Sequence, residues 1–208
     1  MSDVTPSVAL SGPILEPVGA NAGRACVVIR FAAAGDRDAK QLAIEDIVRE
    51  VDKLDTVRSY RVVVTGAEAA ERWTDALAVP LRRAGFRILL ESAGTHAPAG
   101  AIDWHAITPV RGAPTVNMHA DEVRVIVDAK TEAHELDQYA ARWRCDHYLV
   151  QPRTRDDVAH CAQLVAQRPR WRFTLDLREA VALPQRLSAI GSKIDLQPGA
   201  EAETTLLA

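Results

Sequence analysis

The chain has 208 residues, of which 48% are hydrophobic and 25% charged, a balance that fits one globular domain and excludes global disorder. Its 25 basic and 28 acidic residues give a net charge of −3, so the chain is not built as a general binder of nucleic acid. No apolar run reaches the roughly 18 residues of a membrane span, and residues 1–9 lack the features of a secretory signal. We therefore expect a cytoplasmic protein with neither a nucleic-acid nor a membrane partner.

The three cysteines, Cys26, Cys145 and Cys161, are spread along the chain. An odd count without a signal peptide favours reduced thiols. Their wide spacing excludes an iron–sulfur cluster held by three closely spaced cysteines. We therefore expect no metal site and no cofactor that depends on such a cluster.

The predicted elements begin with a loop or loose arm over residues 1–23, which are rich in Pro, Gly and small residues. The apolar run 25–32 predicts a buried strand, and residues 40–54 predict an amphipathic helix. Strand and helix then alternate. Further strands are predicted at 61–65, 86–91, 103–107, 122–127, 147–150 and 172–177. Further helices are predicted at 70–84, at 131–142 and after Thr154, where Thr154 and Asp157 have the spacing of a capping box.

This alternation predicts an α/β fold with a partial (β/α) barrel of about six parallel strands, since the units are too few for an eight-fold barrel. An open parallel sheet is the alternative. The expected organisation is an arm at 1–23, the barrel at 24–182 and a C-terminal tail at 183–208. In either architecture ligands bind beyond the carboxyl ends of the strands. Those ends carry Arg30, Gly66, Glu68, Glu91, Thr95, Thr108, Gln151 and Asp176.

Several of these strand ends carry short motifs of one family. Residues 64–68 (VTGAE) resemble V-T-G-G-E-P, and residues 85–95 (GFRILLESAGT) resemble G-F-x-I-x-x-E-T-N-G-T. Further segments in the same order are 21–32, 102–104, 108–109, 121–124, 150–152 and 168–175. Together they make the chain similar to 7-carboxy-7-deazaguanine synthase, a radical S-adenosylmethionine enzyme of queuosine biosynthesis. The resemblance covers residues 19–178 and implies a radical-SAM-like partial barrel.

The motif that carries the family's chemistry is missing. The resemblance implies a loop G-C-N-L-x-C-x-W-C-D-T after the first parallel strand, where three thiolates hold the cluster that cleaves S-adenosylmethionine. Here Ala33 and Ala34 stand at the Gly-Cys position, and residues 33–40 contain neither Cys nor His. Ala67 also replaces the second Gly of G-G-E-P, and Val110 the Lys of S-P-K. We therefore predict a degenerate member without the cluster loop, and we doubt that it binds S-adenosylmethionine.

Other candidate site residues are retained. By resemblance, Arg30 pairs with a substrate carboxylate and Thr95 contacts a pterin or deazapurine ring, and we add Glu91 to this substrate pocket as a potential general base. The vestigial cofactor site would consist of Gly66, Glu68, Thr108 and Gln151. Structural alternatives stay open: Arg30 could pair with Glu68 or Glu91 at the rim, Thr95 could bond its own turn, and Glu68 could cap a helix.

Three functional hypotheses follow. The first is a cluster-less homologue, a pseudoenzyme that binds a pterin- or purine-like ligand or serves as the partner subunit of an active homologue, in a homodimer or heterodimer. The second is an enzyme with non-radical chemistry, in which Arg30 orients a carboxylate while Glu91 or Glu68 moves a proton. The third is a functional synthase, a carbon–nitrogen lyase, that obtains its cluster ligands elsewhere. The second requires both carboxylates to be buried and to converge on Arg30.

Overall fold

The computed structural model describes residues 5–116 and 119–180. Its strands are β1 (Ser7–Leu15), β2 (Ala25–Phe31), β3 (Lys40–Gln41), β4 (Arg61–Gly66), β5 (Arg87–Ser92), β6 (Trp104–Ile107), β7 (Glu122–Val127), β8 (His147–Pro152) and β9 (Trp171–Phe173). Its helices are α1 (Ile44–Leu54), α2 (Ala69–Arg72), α3 (Asp75–Arg83), α4 (Ala133–Arg142), α5 (Val158–Ala166) and α6 (Leu177–Ala180).

All nine described strands belong to one sheet, in the order β3-β1-β2-β4-β5-β6-β7-β8-β9. From β2 through β4 to β9 each neighbouring pair is parallel, whereas β1 is antiparallel to both β2 and β3. The two edge strands, β3 and β9, do not pair with each other, so the sheet is open. The prediction of a mostly parallel α/β fold that stops short of a closed barrel is confirmed.

The prediction of a loop over residues 1–23 is wrong for Ser7–Leu15, which form β1 against β2. Gly12 and Pro13 suggested a break in regular structure. The strand accommodates them because its pairing register shifts between Ser11 and Ile14, so these two residues occupy an irregularity instead of a strand end. Val8 is buried in the core, which ties the segment to the domain.

The remaining differences are local. The helix predicted at 70–84 is divided into α2 and α3, and the buried Trp73 lies between them. The strand predicted at 172–177 ends at Phe173. The capping box of Thr154 and Asp157 is confirmed and opens a 3-10 turn before α5. The predicted tail at 183–208 lies outside the described residues.

The two faces of the sheet differ in chemistry. Helices cover one face with two apolar clusters, one built on β2, β4 and β5 with α1 to α3, the other on β7 and β8 with α4 and α5. The opposite face, here called the inner face, carries a small apolar patch of Cys26, Val63 and Leu89. None of the helices in the described part of the chain has the length and apolar character needed to cross a bilayer.

Candidate functional site

Strand register collects polar residues on the inner face. Residues in register on neighbouring parallel strands project to the same side of a sheet. Glu91 is in register with Ala106 and Ala106 with Glu122, and Arg124 follows two residues after Glu122 on β7. Arg30 is on the same face, in register with Thr65 at the carboxyl end of β2. The inner face therefore joins charged groups from separate strands.

Arg124 is the centre of this site. One guanidinium nitrogen donates to Glu91 Oε1 at 3.0 Å, and Nε donates to Thr108 Oγ1 at 3.3 Å. Nη1 lies 3.7 Å from Glu122 Oε1. The side chains of Arg124 and Glu122 are 7% and 2% exposed, whereas that of Glu91 is 25% exposed. The structure thus brings Glu91 and Thr108, both predicted site residues, together through an arginine that the sequence reasoning had not assigned.

The segment between β1 and β2 lies across this inner face. Ala20 N–H donates to Glu122 Oε2 at 2.8 Å, and Gly19 N–H donates to Thr174 Oγ1 at 3.2 Å. A Cβ on Gly19 would lie 2.6 Å from Glu122 Oε1, so this close approach requires glycine. Residues expected to form a loose arm therefore form one wall of the site.

Glu122 has a buried carboxyl oxygen that accepts no hydrogen bond from the described residues. Its Oε1 is buried and has no hydrogen-bond partner within the described residues. Burial is the largest influence on this carboxyl and raises its pKa above the ordinary value, against the opposing effects of the Ala20 N–H and of Arg124. A carboxyl in this position can accept a hydrogen bond, or donate one when protonated.

Glu16 extends the cluster of buried carboxyls at the end of β1. Its Oε2 lies 3.5 Å from Arg61 Nη2. Burial raises the pKa of Glu16 to about 7, because the effect of desolvation outweighs the attraction of Arg61. The negative charges of Glu91 and Glu122 raise this pKa further. The site therefore holds a carboxyl that titrates near neutrality.

We expect the ionisation of Glu16 to lower the stability of the protein as pH rises. The pKa of Glu16 is about 7 in the folded state against 4.5 as a model value, so the folded state holds the proton more tightly. Relative to Glu16→Gln, which mimics the protonated form, the wild type should lose about 3 kcal/mol of unfolding free energy as pH rises from about 4.5 to 7. Urea unfolding of both proteins across this range measures the difference. A wild type that gained stability relative to the variant would show that Arg61 dominates instead.

Arg30 pairs with Asp36 and not with Glu68 or Glu91. Its guanidinium forms an ion pair with Asp36, in the loop after β2, and the hydrogen bond raises the pKa of Arg30 and lowers that of Asp36. Asp36 also accepts the backbone N–H of Asp38 at 3.1 Å. The structural alternative in which Arg30 pairs with Glu68 or Glu91 at the rim is therefore wrong. The loop that would carry the cluster in the family is closed by a side-chain pair of its own.

The other candidates have mainly local roles. The side chain of Glu68 is 60% exposed and pairs with Arg72, and it makes no capping hydrogen bond to α2. Thr95 Oγ1 lies 3.2 Å from His96 Nδ1, so its predicted bond to its own turn is not seen. Gly66 has a φ of +103°, and a Cβ there would lie 2.3 Å from the Phe31 carbonyl oxygen. Gln151 is half-buried on the inner face of β8.

Sequence reasoning missed Glu16, Glu122 and Arg124. A signal existed for two of them, because Glu122 and Arg124 are charged residues at alternate positions of an otherwise apolar strand, EVRVIV. Alternation with period two places both on one face. Glu16 gave no such signal, since it follows a strand that was not predicted.

The thiols do not fit an iron–sulfur cluster. Cys26 is in β2, Cys145 precedes β8 and Cys161 is in α5, so three separate elements carry them. Burial raises the pKa of all three thiols, that of Cys26 to about 11 and that of Cys161 to about 12. Cluster ligation needs several thiolates that converge on one site, and these three thiols lie on separate elements.

The fold is an open, mostly parallel α/β sheet with a polar site on its inner face. The crystal structure of QueE from Escherichia coli matches with a TM-score of 0.69 at 19% identity, covering 82% of this chain and 93% of that chain. The chain is 27% identical over 176 residues to the 7-carboxy-7-deazaguanine synthase of Bacteroides thetaiotaomicron, covering 80% of this chain and 92% of the relative. It is 24% identical over 199 residues to that of Bradyrhizobium diazoefficiens, with coverages of 81% and 94%. No protein-family model matches the chain.

The chain is similar in sequence to 7-carboxy-7-deazaguanine synthases and similar in fold to QueE. The resemblance predicted from the strand-end motifs is thereby confirmed.

Proposed function

We propose that this protein is a homologue of 7-carboxy-7-deazaguanine synthase that holds no iron–sulfur cluster. It does not carry out radical chemistry, and it binds a pterin- or purine-like ligand on its inner face. The observation that carries the proposal is the contrast between two sets of residues. The three thiols lie on separate elements, and those of Cys26 and Cys161 are buried. By contrast, Arg124 is joined to Glu91 and Thr108 by hydrogen bonds on the inner face.

The chemistry of such a ligand fits the inner face. Pterins and purines that carry an oxo and an amino group present N–H donors beside a carbonyl oxygen. Glu91 Oε1 accepts a hydrogen bond from Arg124, whereas Glu91 Oε2 has no hydrogen-bond donor among the described residues. Glu91 Oε2 can therefore accept a hydrogen bond from a ring N–H of the ligand. The Arg124 guanidinium can donate to a carbonyl, and Arg30, on the same face, suits a ligand carboxylate.

The alternative of a non-radical enzyme built on Arg30 lacks its required geometry. Arg30 pairs with Asp36, Glu68 with Arg72 and Glu91 with Arg124. The two candidate proton-transfer groups therefore do not converge on the group that would orient the substrate.

We expect Glu91→Gln to weaken ligand binding about 10- to 100-fold, because it removes one charge-assisted hydrogen bond. The measurement is a thermal-shift titration with 7-carboxy-7-deazaguanine, 6-carboxytetrahydropterin, guanine, S-adenosylmethionine and S-adenosylhomocysteine. A ligand that binds only the folded state raises Tm by mass action.

Two further variants sharpen this experiment. Arg30→Ala should weaken the binding of 7-carboxy-7-deazaguanine and 6-carboxytetrahydropterin and leave the binding of guanine unchanged. Arg83→Gln, at an exposed position of α3 away from the inner face, is the matched control and should bind as the wild type does. If none of the ring compounds raises Tm in the wild type, ligand binding is contradicted, and the partner-subunit hypothesis becomes the one to test by co-purification with an active homologue.

A further inference from the structure

A pocket opens where strands β6 to β9 begin, at the amino-terminal edge of the sheet. Its volume is about 510 Å³, and its charged lining residues are Asp121, Arg144, Asp146 and Arg170. This size is in the range of small-molecule sites. The pocket shares no lining residue with the inner-face site around Arg124, so its ligand would be a separate one.

Two guanidinium groups in this pocket have no carboxylate partner within residues 5–116 and 119–180. Arg144 forms no ion pair there, and Arg170 is held by an aromatic ring instead. The guanidinium carbon of Arg170 lies 4.1 Å from the centre of the Tyr148 ring, and Nη2 donates to the Tyr148 hydroxyl at 2.5 Å. Stacking fixes the orientation of Arg170 without neutralising its charge. A fixed and unpaired guanidinium is suited to a carboxylate.

Two carboxylates line the same space. Asp121 Oδ2 accepts the backbone N–H of His105 at 2.7 Å, which holds its side chain in place. Asp146 forms no ion pair in the described part of the chain, although Arg144 is only two residues away. The neighbouring Cys145 thiol donates to the His147 carbonyl oxygen at 3.4 Å, and burial raises its pKa, so it adds no charge. The pocket thus contains two positive and two negative groups that do not neutralise each other by direct contact.

We propose that this pocket binds a small zwitterion of the amino-acid class, whose carboxylate meets Arg144 and Arg170 and whose ammonium meets Asp121 and Asp146. A simple anion would be attracted by the two arginines but repelled by the two aspartates. A simple cation would be attracted by the aspartates but repelled by the arginines. A molecule that carries both charges satisfies all four side chains at once.

The test is a thermal-shift screen of the full chain against the standard α-amino acids, each at about 10 mM, with inorganic phosphate as a simple anion. At least one amino acid should raise Tm by about 3–5 °C when present at roughly ten times its Kd. Its amide and its N-acetyl derivative, which each lack one of the two charges, should give less than half of that shift.

Variants decide whether this pocket is responsible. Arg144→Gln and Asp146→Asn are both at exposed positions, where substitution should not disturb folding, and each should reduce the shift by more than half. Arg83→Gln, an exposed arginine of α3 outside the pocket, should leave it unchanged. The proposal is overturned if no amino acid raises Tm, if phosphate gives an equal shift, or if both pocket variants keep the wild-type response.

Discussion

Arg124→Met is expected to lower the free energy of unfolding by about 3–5 kcal/mol, because it leaves a buried carboxylate cluster without its cation. Arg124 is the donor to Glu91 and Thr108 and the nearest cation to Glu122 Oε1. The methionine preserves most of the side-chain volume, so the loss reports charge and hydrogen bonding more than packing. Urea unfolding followed by circular dichroism at neutral pH measures it.

A double variant separates this cause from a packing defect. Adding Glu122→Gln removes the carboxylate that Arg124→Met leaves unpaired, and the amide oxygen introduced at this position can still accept the Ala20 N–H. We therefore expect the double variant to recover part of the lost stability. Arg83→Met, at an exposed position of α3, should cost less than about 1 kcal/mol. Equal losses for the single and double variants would contradict the charge-based account.

Gly66→Ala is expected to destabilise the protein by about 2–5 kcal/mol whether or not a ligand binds. Two costs combine, the left-handed backbone conformation at a φ of +103° and the close approach of a Cβ to the Phe31 carbonyl oxygen at the junction of β2 and β4. Equilibrium unfolding of the variant measures this sum.

Gly112→Ala provides the matched control for this experiment. Gly112 also has a positive φ, +79°, but nothing lies within 4 Å of the position of its Cβ. It should show only the conformational cost of about 1–2 kcal/mol. If the two variants lose the same stability, the contact with Phe31 is unimportant, and Gly66 is free for the cofactor-related role that the resemblance implied.

The fold could be predicted largely because its strands are apolar runs separated by amphipathic helices. β7 is at the predicted residues 122–127, and the Thr154–Asp157 capping box forms as expected. β1 could not be predicted, because Gly12 and Pro13 interrupt its pattern and only pairing with β2 shows how the strand tolerates them. Tertiary pairing here overrides a local signal.

The site was harder to predict than the fold, because sequence position does not reveal the partner of a charge. Arg30 and Glu91 are both at strand ends, as expected, but Arg30 pairs with Asp36 and Glu91 with Arg124. Asp36 lies in the loop that departs from the family motif, so the resemblance offered no guide to it. The contribution of residues 16–24 likewise depends on their folding over β7 and β9.

Iron analysis after anaerobic reconstitution tests most directly the proposal that this protein holds no iron–sulfur cluster. The purified protein is incubated with iron and sulfide, desalted and compared with the Bacteroides thetaiotaomicron relative treated in parallel. Because the three thiols lie on separate elements, we predict well under one iron per chain and no charge-transfer absorption in the visible range. Roughly three or more irons per chain, with that absorption, would contradict the account and restore the hypothesis of a functional synthase.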